Sequence, residues 1–203
     1  MAIFVCSDHH FGDEKLVQKG RKQFKDATQM AETIVLNHNK IVKKTDTCYF
    51  LGDLGFKESI DKYLPQMNGN KIFIYGNHDG YSIDYYLQYF TSVYKKPLFY
   101  ITRILFSHEP QRVTPGVINI HGHTHLINLA LSGYYNVSLD NTDFKPVSLK
   151  VYLKELNKFN KPNFKFLEEW YADYQITPQE RPDLVVENGG LINAKKSLEK
   201  MRR

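Results

Sequence analysis

The sequence predicts a layered α/β protein. Short apolar runs of strand length recur along the chain, helical stretches lie between several of them, and five of the runs end abruptly in a turn carrying His, Asp or Asn. The first run, Ile3-Phe4-Val5-Cys6, breaks into Ser7-Asp8-His9-His10, the pattern of a buried strand entering a loop. Residues 27–43 are predicted to form a helix with Met30, Ile34 and Ile41 on one face. Cys48-Tyr49-Phe50-Leu51 is a second buried strand, ending in Gly52-Asp53. Lys71-Ile72-Phe73-Ile74-Tyr75 is a third, ending in Gly76-Asn77-His78-Asp79. Leu105-Phe106 closes a fourth before Ser107-His108. Val117-Ile118-Asn119-Ile120 forms a fifth before His121-Gly122-His123-Thr124-His125. Residues 147–156 alternate like a further strand. A polar stretch from 157 to 163, an aromatic helix candidate over 164–174 and a basic helix candidate over 191–203 follow. The composition shift divides the chain into a domain that carries all five strand ends, residues 1–156, and a C-terminal extension of unassigned role, residues 157–203.

Composition sets the class. The chain has 203 residues, 42% hydrophobic and 24% charged, enough to bury a core and keep a polar surface. Its longest apolar runs fall short of the ~18 to 20 residues that a membrane helix requires. The apolar opening has no basic flank and meets Asp8 at once, so it reads as a strand and not a signal peptide. Cys6 and Cys48 each sit inside an apolar run, which points to two buried reduced thiols and a cytoplasmic setting. The net charge of +5 favours phosphate-bearing partners but is too slight to mark a nucleic-acid-binding tail.

The strand ends hold the chemistry. Of eight histidines, seven lie in these segments, and only His38 lies elsewhere. Ligands of open α/β sheets bind beyond the carboxyl ends of the strands, so the five turns are expected to converge. Asp8, His10, Asp53, Asn77, His108, His123 and His125 offer carboxylate, imidazole and amide oxygen without thiolate, a donor set for Mn, Fe, Zn or Ni. In extended chain the i, i+2 pairs Asp8/His10 and His123/His125 would each face one side. Seven donors exceed one tetrahedral ion and suit two octahedral ones sharing a carboxylate. Two divalent ions less two carboxylates and a hydroxide leave about +1, which attracts a phosphate ester. His78, adjacent to a donor but surplus to the set, suits a general acid, with Asp79 holding it.

These blocks, in this order, resemble the calcineurin-like metallophosphoesterase superfamily. The resemblance runs over residues 3 to 150, and flanking segments such as Gly20-Arg21-Lys22-Gln23-Phe24 and Asn136-Val137-Ser138 resemble its small single-domain bacterial and phage branch. It implies two β-sheets packed face to face and flanked by helices, a four-layer sandwich. It implies that Asp8, His10 and His125 hold one metal, that Asn77, His108 and His123 hold the other, and that Asp53 bridges. His78 is then the acid in attack by a metal-bridging hydroxide. Tyr75 and Asp79 depart from the protein serine/threonine phosphatase pattern, which disfavours that activity. The expectation is a phosphodiesterase acting on a nucleotide or nucleic acid with two divalent ions, manganese foremost. A phosphomonoesterase is the nearest alternative, then a nuclease or a catalytically silent metal-binding scaffold.

Four further readings go with these. His9 and His121 are expected behind the metal site or in solvent, and His38 on the helix surface. Tyr81, Tyr85 and Tyr89 form a helical stripe read as packing, with contact between Tyr81 and a nucleobase as the functional alternative. Arg21 reads as a solvated loop cation, with a substrate-phosphate contact as the alternative. Five cations near the C-terminus read as the polar face of a helix.

Overall fold

The structure is a computed structural model that describes residues 1–156. The predicted helices at 164–174 and 191–203 lie outside the described residues. The first strand, β1 (Ile3–Cys6), is followed by α1 (Glu14–Lys19) and α2 (Ala27–Ile41), then β2 (Thr47–Phe50), α3 (Lys57–Tyr63) and β3 (Asn70–Ile74). After α4 (Ile83–Tyr86) come β4 (Ser92–Tyr94), β5 (Leu98–Ile101), β6 (Ile104–Phe106), β7 (Ile118–His121) and β8 (Tyr134–Asn136). Strand β9 (Val147–Ser148) and helix α5 (Lys150–Leu156) complete the described chain. Helices α1 and α2 start where Asp13 and Asp26 accept the Leu16 and Gln29 backbone N–H groups, at 2.9 and 2.7 Å.

Two sheets form, one of five strands in the order β4-β3-β2-β1-β9 and one of four in the order β5-β6-β7-β8. In the first, β1 to β4 pair in parallel and β9 runs antiparallel beside β1. Alternation along its strands builds two cores. Phe4, Cys6, Cys48, Phe50 and Phe73 point to a cluster with Val17, Met30, Ile34, Ile60 and Tyr86 from helices α1 to α4. Val5, Leu51 and Ile74 point the other way, to Leu98, Ile104, Phe106, Ile118 and Ile120 of the second sheet. The sheets therefore pack face to face with helices outside. Cys6 and Cys48 are buried free thiols with sulfurs 3.5 Å apart.

Two local readings are corrected here. The alternation over 147–156 forms a strand only at Val147–Ser148, and the rest is helix α5. Leu149, Tyr152 and Leu156, at helical spacing, are buried, whereas Val151 and Leu153 of the alternating pattern are exposed. His38 is not on the helix surface but fully buried. It stands four residues after Ile34 and eight after Met30, on the apolar stripe, and one ring nitrogen bonds the Asn68 carbonyl at 2.9 Å.

Burial lowers the His38 pKa to about 4, against the opposing pull of the Asn68 carbonyl. The unfolded chain therefore takes up a proton near pH 6.5 that the folded chain refuses until about pH 4. Stability falls as pH drops through that window, by up to about 3 kcal/mol, and levels off below it. His38→Gln keeps an N–H for Asn68 without the titration. Urea unfolding at pH 7 and pH 4.5 should show a clearly smaller loss in the variant. An equal loss in both proteins would exclude His38 as the source.

Candidate metal centre

The five turns converge at the carboxyl ends of β1, β2, β3, β6 and β7. Backbone bonds tie them together: the Asp8 and His10 N–H groups donate to the Gly52 and Asp53 carbonyls, each at 3.0 Å, and the His123 N–H donates to the Asp8 carboxylate at 3.1 Å. The turns are tight. A Cβ at Gly52, which has φ of +92°, would lie 2.5 Å from the Gly76 nitrogen and 2.6 Å from His108 Nδ1. One at Gly122 would collide with Ser7 and the Asp8 carboxylate.

Among the described residues, seven non-glycine residues have left-handed backbone, and five are predicted ligands: Asp8, His10, Asp53, His123 and His125. Such conformations cost about 1–3 kcal/mol each and persist where the surroundings enforce them. They also correct the argument from extended chain: Asp8/His10 and His123/His125 lie in left-handed backbone past the strand ends, not in extended strand.

Asp8, His10 and His125 form one group of donor atoms within 4.8 Å of one another, and Asp8, Asp53 and His108 form a second. Asp53 stands between His10 and His108, its Oδ2 3.6 Å from one Nε2 and 3.4 Å from the other. Asn77 Oδ1 lies 2.8 Å from His108 Nε2 and 2.9 Å from His123 Nδ1, and those two nitrogens are 3.2 Å apart. All seven predicted donors are thus brought together.

The donor set fits divalent cations. The Nε2 atom of His10 is buried without a hydrogen-bond partner and faces a carboxylate, an arrangement that a cation between them would satisfy. His108 bonds the Leu51 carbonyl through Nδ1 at 2.8 Å, leaving Nε2 aimed into the cluster. Burial opposes charge on His108, but the Asp53 and Asp8 carboxylates outweigh it and raise its pKa to about 9. Burial likewise opposes charge on Asp53, yet hydrogen bonds from His108 and the His78 backbone hold its pKa near 2.

His125 is oriented from behind by a residue that sequence reasoning missed. Asp140, in the turn at Leu139–Asn141, accepts the His125 Nδ1 hydrogen at 2.8 Å, leaving Nε2 toward Asp8. Asp140 in turn takes both arms of Arg21, Nε at 2.9 Å and Nη2 at 2.7 Å. Arg21 also donates to the Asp8 and His9 carbonyls and is wholly buried, so it is neither a surface cation nor free for a phosphate. Nothing in the spacing around Asp140 announces it: it lies 119 residues from Arg21.

Other expectations resolve individually. His9 is buried and stacks on Phe50 at 4.9 Å, so solvent contact is excluded. His121 is buried and bonds the Gly122 carbonyl at 2.9 Å. Asp79 does not hold the His78 ring. Its carboxylate caps the Asp53, Leu54 and Gly76 N–H groups at 2.6, 3.0 and 2.8 Å, supporting the turns instead. Tyr85 and Tyr89 pack and bond Asp61, each at 2.7 Å. His78 is exposed; its backbone N–H donates to Asp53 Oδ1 at 2.9 Å, and its ring lies 5.7 Å from that of His10.

A family profile of calcineurin-like phosphoesterases matches residues 1–194. The chain belongs to this family. The match runs well past residue 150, where the recognisable motifs end. Membership brings metal-dependent hydrolysis of phosphate esters, and the family typically binds two divalent ions. An uncharacterized protein of Methanocaldococcus jannaschii is 29% identical over 172 residues, covering 77% of this chain and 92% of its own. A crystal structure of a protein of unknown function from Aquifex aeolicus superposes with a TM-score of 0.64 at 24% identity, over 75% of this phosphoesterase and 98% of that chain, and shows the fold. Among the described residues no helix of the phosphoesterase is long and apolar enough to cross a membrane.

Proposed function

We propose that this phosphoesterase is a phosphodiesterase acting on a nucleotide or nucleic acid. The observation that carries the choice of diester is a pair of clefts flanking the centre along the His10–Asp53–His108 line. One, of about 260 Å³, is lined by Asn77 and His108 among others, and the other, of about 280 Å³, by His78 and His10. A diester has two arms to place, and there is room for one on each side.

In this reading Asp8, His10 and His125 would hold one divalent ion and Asn77, His108 and His123 the other, with Asp53 available to both. The ions, manganese foremost, supply Lewis-acid stabilisation of the phosphoryl oxygens and acidify a water. Asn77 turns its amide oxygen toward His108 and His123, which leaves its N–H groups for a phosphoryl oxygen. A water that has given one proton to solvent adds to phosphorus, the bond to the leaving oxygen breaks, and His78 donates the proton that oxygen needs. The tie from the His78 backbone to Asp53 holds this acid at a fixed offset from the donors.

The test compares bis-p-nitrophenyl phosphate with p-nitrophenyl phosphate, using metal-stripped protein with and without added Mn²⁺. Diester hydrolysis that requires metal and exceeds monoester hydrolysis is the expected result. A preference for the monoester would make the protein a phosphatase. No turnover of either, with two ions bound per chain, would leave a binding scaffold as the better account.

A further inference from the structure

We propose that the cleft beside His78 seats the leaving arm of the substrate and takes a flat, uncharged aromatic ring, that of a nucleoside. The inference rests on the phosphodiesterase reading above and says which arm lies where. Position comes first. His10, Asp13, Phe56, His78, Gly80 and Tyr81 line this cleft, so a group bound in it meets the residue assigned to protonate the leaving oxygen.

The walls suit a ring. Phe56 is 55% exposed, yet its backbone is pinned in both directions. Its N–H donates to the Phe11 carbonyl at 2.9 Å, and its carbonyl accepts from Ser59 and Ile60 at 3.0 and 2.9 Å. Single exposed aromatics are common on protein surfaces and mean little alone. This one stands at a hydrogen-bonded helix start and lines the cleft with Tyr81 beside His10, which offers a ring a stacking surface at the edge of the metal centre. Tyr81 is fixed from the same helix start: its hydroxyl accepts the Lys57 N–H at 2.9 Å, and its ring meets that of Tyr85 edge-on at 4.9 Å. Next to it Gly80 is open, and a Cβ there would meet nothing within 4 Å.

Charge decides the kind of ring. Among the described residues no Lys or Arg lines this cleft, and Asp13 contributes a carboxylate. A second phosphate or an acid would be repelled, whereas a nucleoside presents a π-face to Phe56 and Tyr81 and hydroxyl or amino donors to Asp13. The cleft on the Asn77 side is lined by Lys95 and Lys96 as well as Glu109, and it takes the retained, anionic arm.

The experiment is calorimetric titration of the full-length, Mn²⁺-loaded protein with two phosphonates whose P–C bond cannot be hydrolysed. One is a nucleoside 5′-methylenephosphonate; the other is propylphosphonate, which has the same head and no ring. Stacking of one base predicts about tenfold tighter binding of the nucleoside compound. Phe56→Ala removes the platform, and Gly80→Leu fills the cleft without straining the backbone. Both should abolish the advantage, weakening the nucleoside compound far more than propylphosphonate. Equal binding of the two compounds to the wild type, or an advantage that survives both substitutions, would overturn the assignment while bis-p-nitrophenyl phosphate turnover continued. If neither compound binds and that turnover is also absent, the phosphodiesterase reading fails and takes this inference with it.

Discussion

Arg21→Met should destabilise the protein by about 3–5 kcal/mol, the cost of removing one partner from a buried ion pair. The expectation follows from what the guanidinium does. It is wholly buried, meets Asp140 through two nitrogens, and satisfies the Asp8 and His9 carbonyls. Methionine fills much of the volume and serves none of these groups. It would leave Asp140, whose side chain is 7% exposed, with only the His125 ring and the Ser138 hydroxyl, the latter at 3.0 Å. Urea unfolding of metal-free protein measures the loss. Adding Asp140→Asn removes the stranded charge and should recover part of it, so the double variant is expected to be less unstable than the two single losses sum to. A loss below about 1 kcal/mol for Arg21→Met would show that the pair is not a structural tie.

His78→Ala should lower kcat by about 10²–10⁴, the range for loss of a general acid, with KM and bound metal little changed. The separation is expected because the His78 side chain lies outside both donor groups, while its backbone N–H, which alanine retains, makes the bond to Asp53. The leaving group supplies the sharper test. A p-nitrophenolate departs without a proton, whereas an alkoxide needs one. The defect should therefore be larger for a thymidylate alkyl diester than for bis-p-nitrophenyl phosphate. Equal defects on both, or a loss of metal in the variant, would mean that His78 positions the centre and does not protonate the leaving oxygen.

The donors were legible in the chain because a buried strand that stops at a polar turn is a local signal. Asp8, Asp53, Asn77, His108 and His123 each sit within a few residues of an apolar run, and the structure brings all of them together with His10 and His125. Pattern also had limits within single elements. Residues 147–156 satisfy both a period of two and a helical spacing, and the neighbours that bury Tyr152 and Leu156 selected the helix. The helical stripe through Met30 and Ile34 could have placed His38 in the core, but its polar flanks Asn37 and Asn39 pointed to the surface.

Local apolar periodicity, then, was enough to indicate a layered α/β architecture and the order of the strand ends, and the residue types at those ends named the candidate donors. The geometry of that set depended on contacts between distant segments. Five donors adopt left-handed backbone, which isolated peptide energetics disfavour and only the packed turns enforce. Arg21 and Asp140 lie 119 residues apart and became a buried pair behind His125 only when β1 and the turn after β8 were brought together. No periodicity records such a meeting, because the energy that holds it is released only when both segments leave water together.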